Sequence, residues 1–203
     1  WTEHLARVGA TLDDTARSIA FAAPADEARA TETSTIATPL LHLGTIRSVG
    51  PDSAVFLHNL VSNEVKKLEA DAAEWNSFNS PKGRMIASFL MWPEAEGHAL
   101  ALSADILPAF LKKFSMYVLR SKVKLANASA DVALIGVAGP NAATIVHATG
   151  AELPGADMKQ TLAASGLRCI RLGAPRDLLA LPVDAAPATD DALLAAGAAR
   201  AGT

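Results

Sequence analysis

Two stretches of this chain carry residue types that could do chemistry. Asn79-Ser80-Pro81-Lys82-Gly83-Arg84 leads directly into an apolar segment. A glycine between two cations lets a ligand approach the backbone closely and places charge at the mouth of a strand. That arrangement suits a carboxylate or a phosphate, and an ordinary solvated turn has the same composition. The second stretch is defined by what it lacks. Between Ile106 and Ala130 there is no Asp or Glu, while Lys112, Lys113, Arg120, Lys122 and Lys124 all lie there. In a chain of net charge −3 this is a positive island. Lys122 and Lys124 share one face if that segment is extended. An anionic ligand or an RNA backbone would each be served by it. A solvated helix face followed by an edge strand protected by lysines gives the same pattern.

Other chemistry finds little support. The histidines, His4, His42, His58, His98 and His147, show no metal-ligand spacing. Cys169 alternates with apolar residues, the setting of a buried, inert thiol. There is no Walker loop, no Gly-x-Gly-x-x-Gly, no Gly-x-Ser-x-Gly and no zinc-type spacing. A single cysteine cannot make an intrachain disulfide, which points to a reducing, cytoplasmic compartment. No apolar run reaches the roughly 18 residues of a membrane span. With 18 Lys+Arg against 21 Asp+Glu, a wholly basic nucleic-acid binder is excluded, though a local basic patch is not.

The elements that must position these residues are legible in outline. At 203 residues the chain suits one large or two small domains and can bury a core without disulfides or metal. Apolar residues at helical spacing predict a helix over 3–22, and the Ala/Thr/Glu-rich stretch 24–38 reads as a linker. Residues 43–49 predict a strand. It runs into Gly50-Pro51-Asp52, where Gly allows a tight turn, Pro suits a first helical turn and Asp can cap free N–H groups. The phrase returns as Gly139-Pro140-Asn141 after the apolar stretch 132–137. Both copies continue through small and apolar residues to a histidine, His58 and His147. Two related strand–turn–helix units follow, with the histidines at helix ends. Strands are predicted at 85–92 and 98–103 around a turn at 93–97, and a helix at 106–119. A short strand follows at 122–125, then a second hairpin, 167–172 with 178–183. Short strands, hairpins and helices in this order predict an α+β fold with antiparallel sheets and packed helices. The expected organisation is an N-terminal helix and linker over 1–38, a first α+β domain over 39–127 and a second over 128–203.

Several of these segments together resemble one family. Residues 43–68, with Gly50-Pro51-Asp52 and the run Leu57-His58-Asn59-Leu60-Val61-Ser62-Asn63-Glu64-Val65, are similar to the opening of the glycine-cleavage T-protein superfamily. Pro81-Lys82-Gly83-Arg84, then Tyr117-Val118-Leu119-Arg120-Ser121-Lys122-Val123, then Ile135 to Ala142 continue the resemblance in order. It covers roughly 40–183 and is nearest to the YgfZ-like, folate-binding branch.

The resemblance implies a tetrahydrofolate-binding protein acting in iron–sulfur cluster assembly or repair and, through it, in tRNA modification. It implies folate as cofactor and, as partners, iron–sulfur proteins and indirectly tRNA. Lys82, Gly83 and Arg84 would line the ligand channel with Asn63 and Arg176, and Lys122 would add positive potential for the glutamyl tail. T-proteins themselves transfer an aminomethyl carbon to folate and carry an Asp pair after the Lys-Gly turn. Here those places read Ala87 and Ser88, and a second family carboxylate position reads Ala174 in Gly173-Ala174. Neither Ala nor Ser can manage a proton as a carboxylate does, which disfavours aminomethyl transfer and favours folate binding in an altered pocket. The branch's Lys-Gly-Cys-x-x-Gly-Gln-Glu segment and its C-terminal β-barrel domain lie beyond the matched region. The opening Trp1 and the helix-like ending suggest a chain cut short. An RNA-interaction module using the positive island is the third reading.

Overall fold

The computed structural model describes residues 1–203 and divides them into two compact units. One is continuous, Leu43–Ser129. The other joins Trp1–His42 to Ala130–Thr203.

The continuous unit is built on a five-stranded sheet of order β5-β6-β7-β4-β8. Its strands are β4 (Leu43–Val49), β5 (Glu74–Asn79), β6 (Met85–Glu94), β7 (Gly97–Ser103) and β8 (Lys124–Asn127). All neighbours are antiparallel, and β6 and β7 turn through two residues, with Glu94 paired to Gly97. Helices α3 (Ser53–His58) and α4 (Leu107–Ser115) pack with one face of this sheet. In α4, Leu107, Phe110 and Phe114 recur at helical spacing and are buried, while Lys112 and Lys113 point outward. Phe114 meets Phe56, Phe78 and Phe110 with ring centroids 4.9–5.3 Å apart, so an aromatic cluster fixes α4 on the sheet. The helix stops at Ser115, short of the expected Leu119, because turns at 116–121 replace its hydrogen bonds.

The discontinuous unit repeats that plan. Its sheet has the order β10-β11-β12-β9-β3-β13. The strands are β3 (Ile36–Pro39), β9 (Val132–Ala138), β10 (Gln160–Leu162), β11 (Arg168–Gly173), β12 (Arg176–Pro182) and β13 (Ala199–Arg200). Helices α5 (Ala142–His147) and α6 (Ala186–Ala195) follow β9 and β12. β4 and β9 show the same alternation of buried and half-buried positions, and each feeds a six-residue helix through Gly-Pro. Gly50 and Gly139 take φ of +133° and +135°, a region that only glycine enters without strain. A Cβ on Gly50 would collide with the carbonyl oxygen of Lys122, and one on Gly139 would sit 2.5 Å from Thr35 Cα. The repeated glycine is therefore required twice over, by conformation and by close backbone approach. The Asx residues behave differently from expectation. Asp52 and Asn141 sit at the helix N-caps without a side-chain capping bond. Asp52 instead accepts the Lys122 N–H at 2.6 Å, tying the turn to the strand beside it.

The N-terminal 38 residues are not a helix and linker. Helix α1 spans only Thr2–Arg7, since Gly9 leaves the helical region at φ +96°. A small hairpin follows, β1 (Thr11–Leu12) with β2 (Ile19–Ala20), whose turn is held by Asp13 Oδ1 accepting from Arg17 and Ser18. The expected linker contains helix α2 (Pro24–Thr33), started by Pro24 and anchored by Glu27, which accepts from Phe21 and Ala22. It then contains β3, which lies between β9 and β13. Residues 1–42 thus belong to the unit completed by 130–203.

Candidate functional site

The Lys82-Gly83-Arg84 segment closes the β5–β6 hairpin. Ser80 builds the turn: its N–H donates to Arg84 O, its carbonyl accepts from Gly83 and its hydroxyl accepts from the Arg84 N–H. Gly83 adopts φ +74° with no atom within 4 Å of a notional Cβ, so the space above it is open. Lys82 and Arg84 are exposed and make no ion pair within the protein. Two free cations flanking an open backbone can receive a carboxylate or phosphate group without first breaking a salt bridge. Further along β6, Ala87 is buried and Ser88 is exposed, and the strand's only carboxylate is Glu94 at its far end, paired with Arg47 at 2.9 Å.

The other residues singled out from sequence are dispersed. Asn63 ties its loop to β5, with Nδ2 donating to Trp75 O at 2.6 Å and its N–H donating to Asn76 Oδ1 at 2.9 Å. It lies beside the start of β5, away from the hairpin tip. Lys122 lies at the opposite end of the sheet. Lys124 pairs with Val49, Val49 with Gly97, and Gly97 with Glu94. From Glu94 back to Met85 is the length of β6, about 30 Å at a strand's rise of roughly 3.3 Å per residue. Lys122 therefore does not join Lys82 and Arg84 around one small group. Arg176 opens β12 in the other unit, exposed and unpaired, opposite Ala138.

Three polar clusters were not expected. In the first, Ser53 Oγ bonds to the Ser48 carbonyl at 2.9 Å, to Ser48 Oγ at 2.8 Å and to His98 Nδ1 at 2.9 Å. A hydroxyl has one proton and two lone pairs, so donation to the carbonyl leaves Ser48 and His98 as donors. Assigned this way, His98 carries its proton on Nδ1. Burial lowers its pKa and so favours the neutral ring, while the Glu94 carboxylate opposes that shift. A serine whose proton points at a backbone carbonyl is not activated by its histidine, so this is not an acyl-transfer pair. The cluster borders a cleft of about 650 Å³ lined by Gly50, Ala54, Lys66, Glu94 and Glu96 among others.

The second cluster joins His4, Asp190 and Asp191, whose ligand atoms lie within 4.8 Å of one another. Arg200 Nη2 stands 2.8 Å from Asp190 Oδ2 and His4 Nε2 3.0 Å from the same oxygen. A guanidinium already supplies the positive charge, so the arrangement clamps α1 to α6 rather than inviting a metal. The third is Asp177, 2% exposed on the core-facing side of β12. Neither carboxylate oxygen has a hydrogen-bond partner, and Arg171 Nε stays 3.6 Å away. Burial raises the Asp177 pKa, Arg171 opposes it and Asp157 adds to it. The sequence signal was an acid in phase with Leu179 and Leu181, on the face that also buries Val137 and Cys169. Cys169 is fully buried, and burial, with Asp177 adding, pushes its thiol up to about 12.

Residues 5–168 match the family described as the GCVT N-terminal domain. The chain is 31% identical over 101 residues to the tRNA-modifying protein YgfZ of Vibrio vulnificus, covering 50% of this chain and 31% of that protein. It is 33% identical over 106 residues to the mitochondrial iron–sulfur cluster assembly factor IBA57 homologue of Mycosarcoma maydis, covering 44% of this chain and 26% of that one. Among solved structures, the glycine cleavage system aminomethyltransferase T of Bartonella henselae superposes with a TM-score of 0.82 at 18% identity, over 98% of this chain and 58% of that one. That likeness establishes the fold, α+β with antiparallel sheets. The matched region spans 31% of the length of the first curated relative.

Proposed function

Because the chain belongs to the GCVT N-terminal domain family, we propose that it binds tetrahydrofolate and acts in iron–sulfur cluster assembly and, through it, tRNA modification. The relatives named for tRNA modification and for iron–sulfur cluster assembly support the process. One structural observation supports the ligand: the hairpin tip at Lys82-Gly83-Arg84 offers two unpaired cations around an open glycine. Folate carries carboxylates on its glutamyl tail, the group such a tip receives. Gly83 leaves room for the tail, Lys82 and Arg84 supply charge, and Asn63 of the same unit is a further ligand residue in this reading. Bound tetrahydrofolate supplies a carrier for one-carbon units. The start of β6 presents Ala87 and Ser88 in place of carboxylates, so this chain holds the folate rather than managing the proton of an aminomethyl transfer.

Titration calorimetry with tetrahydrofolate tests the reading. The wild-type protein binds, and Lys82→Ala combined with Arg84→Ala weakens binding about tenfold or more, as loss of about 1.5–3 kcal/mol for a charge-assisted contact requires. Absence of binding by the wild type refutes the ligand. Unchanged affinity in the double variant removes these residues from the site.

A further inference from the structure

The positive island runs from helix α4 to strand β8 of the unit 43–129. Helix α4 packs beside β8, and consecutive turns link them: Met116 donates to Lys113, Tyr117 to Phe114, Val118 to Ser115 and Ser121 to Val118. Lys112, Lys113, Arg120, Lys122 and Lys124 project from this segment, all exposed and none in an ion pair. Between them stand large apolar side chains that the core does not use. Leu119 is 88% exposed, Met116 72% and Tyr117 41%. Leu119 is held at φ +44°, an uncommon conformation for a leucine, and is the most exposed of these apolar side chains. Tyr117 rests edge-on against Phe78 at 5.7 Å, which steadies the ring while leaving part of it in solvent.

We propose that this surface binds single-stranded RNA, the phosphates lying on the lysines and Arg120 and an unstacked base lying against Tyr117. Uncompensated cations attract a polyanion. Lys124 opens the edge strand β8 and Lys122 lies in the bend two residues before it, both exposed, so that neighbouring phosphates can each meet a cation. An exposed aromatic ring among cations is the stacking platform that single-strand binders use. A lipid surface is less well served, because the apolar face of α4 is buried in the core and the exposed apolar side chains among the cations are only Met116, Tyr117 and Leu119, with Ile106 apart from them at the start of α4. An acidic protein would meet the charge without using the ring. The proposal does not depend on folate binding, since Lys82 and Arg84 lie at the other end of the sheet.

The test uses a fluorescein-labelled 12-nucleotide oligouridylate, followed by anisotropy at 50 and 200 mM salt. Counterion release from a single strand contacting five cations weakens binding about 100-fold over that range. Lys113→Ala, Arg120→Ala and Lys124→Ala combined reduce that loss to about sevenfold, because only two contacts remain. Tyr117→Leu, which keeps an apolar contact with Phe78, weakens oligouridylate about tenfold, within the range for one base stack, and leaves inorganic polyphosphate unaffected. Any of three results overturns the proposal: no oligouridylate binding at 50 mM salt, polyphosphate or polyglutamate binding as tightly as oligouridylate, or vesicles containing phosphatidylserine outcompeting the RNA. Variants that bind like wild type overturn it equally.

Discussion

Gly50→Ala probes the turn that organises the continuous unit. Gly50 sits at φ +133°, where an L-residue is strained, by about 1–2 kcal/mol on the scale of the left-handed region. Its new methyl would meet the Lys122 carbonyl, with Lys122 C and Val123 Cα each 3.1 Å away. Those are backbone atoms, and they cannot retreat freely. The Lys122 N–H is held by Asp52 at 2.6 Å, and Gly50 itself donates to Glu96 O at 2.9 Å. Overpacking of this kind adds about 1–3 kcal/mol. The stiffer unfolded chain returns about 0.4–1 kcal/mol. The net expectation is a loss of about 1–4.5 kcal/mol, centred near 3 kcal/mol, a large share of the roughly 5–15 kcal/mol that domains possess. Gly83→Ala is the control. It shares a positive φ of +74° but has empty space around the new methyl, so only the conformational term of about 1 kcal/mol survives. Urea denaturation followed by tryptophan fluorescence reads the difference, because Trp75 and Trp92 lie in the same unit as both glycines. If Gly50→Ala is no less stable than Gly83→Ala, the close approach of the turn to Lys122 is not what the structure depicts.

Two further outcomes concern buried groups of the other unit. Cys169, buried with its thiol pushed up to about 12, should resist iodoacetamide at pH 8 in the folded protein and react fully in urea; rapid native labelling would contradict its burial. Asp177 has a folded pKa raised above its unfolded value of about 3.9. The folded state therefore binds more protons in that window, and this residue's contribution to stability falls as pH rises from about 4 through the folded pKa, then stays level. Subtracting the urea stability of Asp177→Asn from that of wild type between pH 4 and 7 should give a difference that declines with pH. A difference that rises would mean the Arg171 contact outweighs burial.

What the sequence disclosed, and what it hid, follows from the range of the interactions. The Gly-Pro repeat was readable because a positive φ and a tight strand-to-helix turn are local demands, and both recur at Gly50 and Gly139. The hairpins β6–β7 and β11–β12 were readable for the same reason. Residues 1–38 were not. Apolar spacing from Leu5 to Ile19 fits a helix, but Gly9 ends it and the Asp13 carboxylate folds the remainder into a hairpin. β3 escaped notice because its partner β9 is about a hundred residues away and the four residues Ile36–Pro39 carry little pattern alone. At the candidate site, the free cations of the hairpin tip were visible as a charge pattern, whereas the distance between Arg84 and Lys122 depends on sheet register, which no local signal encodes.

Folate held at the β5–β6 tip is proposed to serve iron–sulfur cluster assembly. The most direct measurement is iron–sulfur enzyme activity in cells lacking this protein, supplied with wild type or with the Lys82→Ala, Arg84→Ala variant at equal abundance. Wild type should restore activity and the variant should not. Full restoration by a variant that no longer binds tetrahydrofolate would contradict the claim.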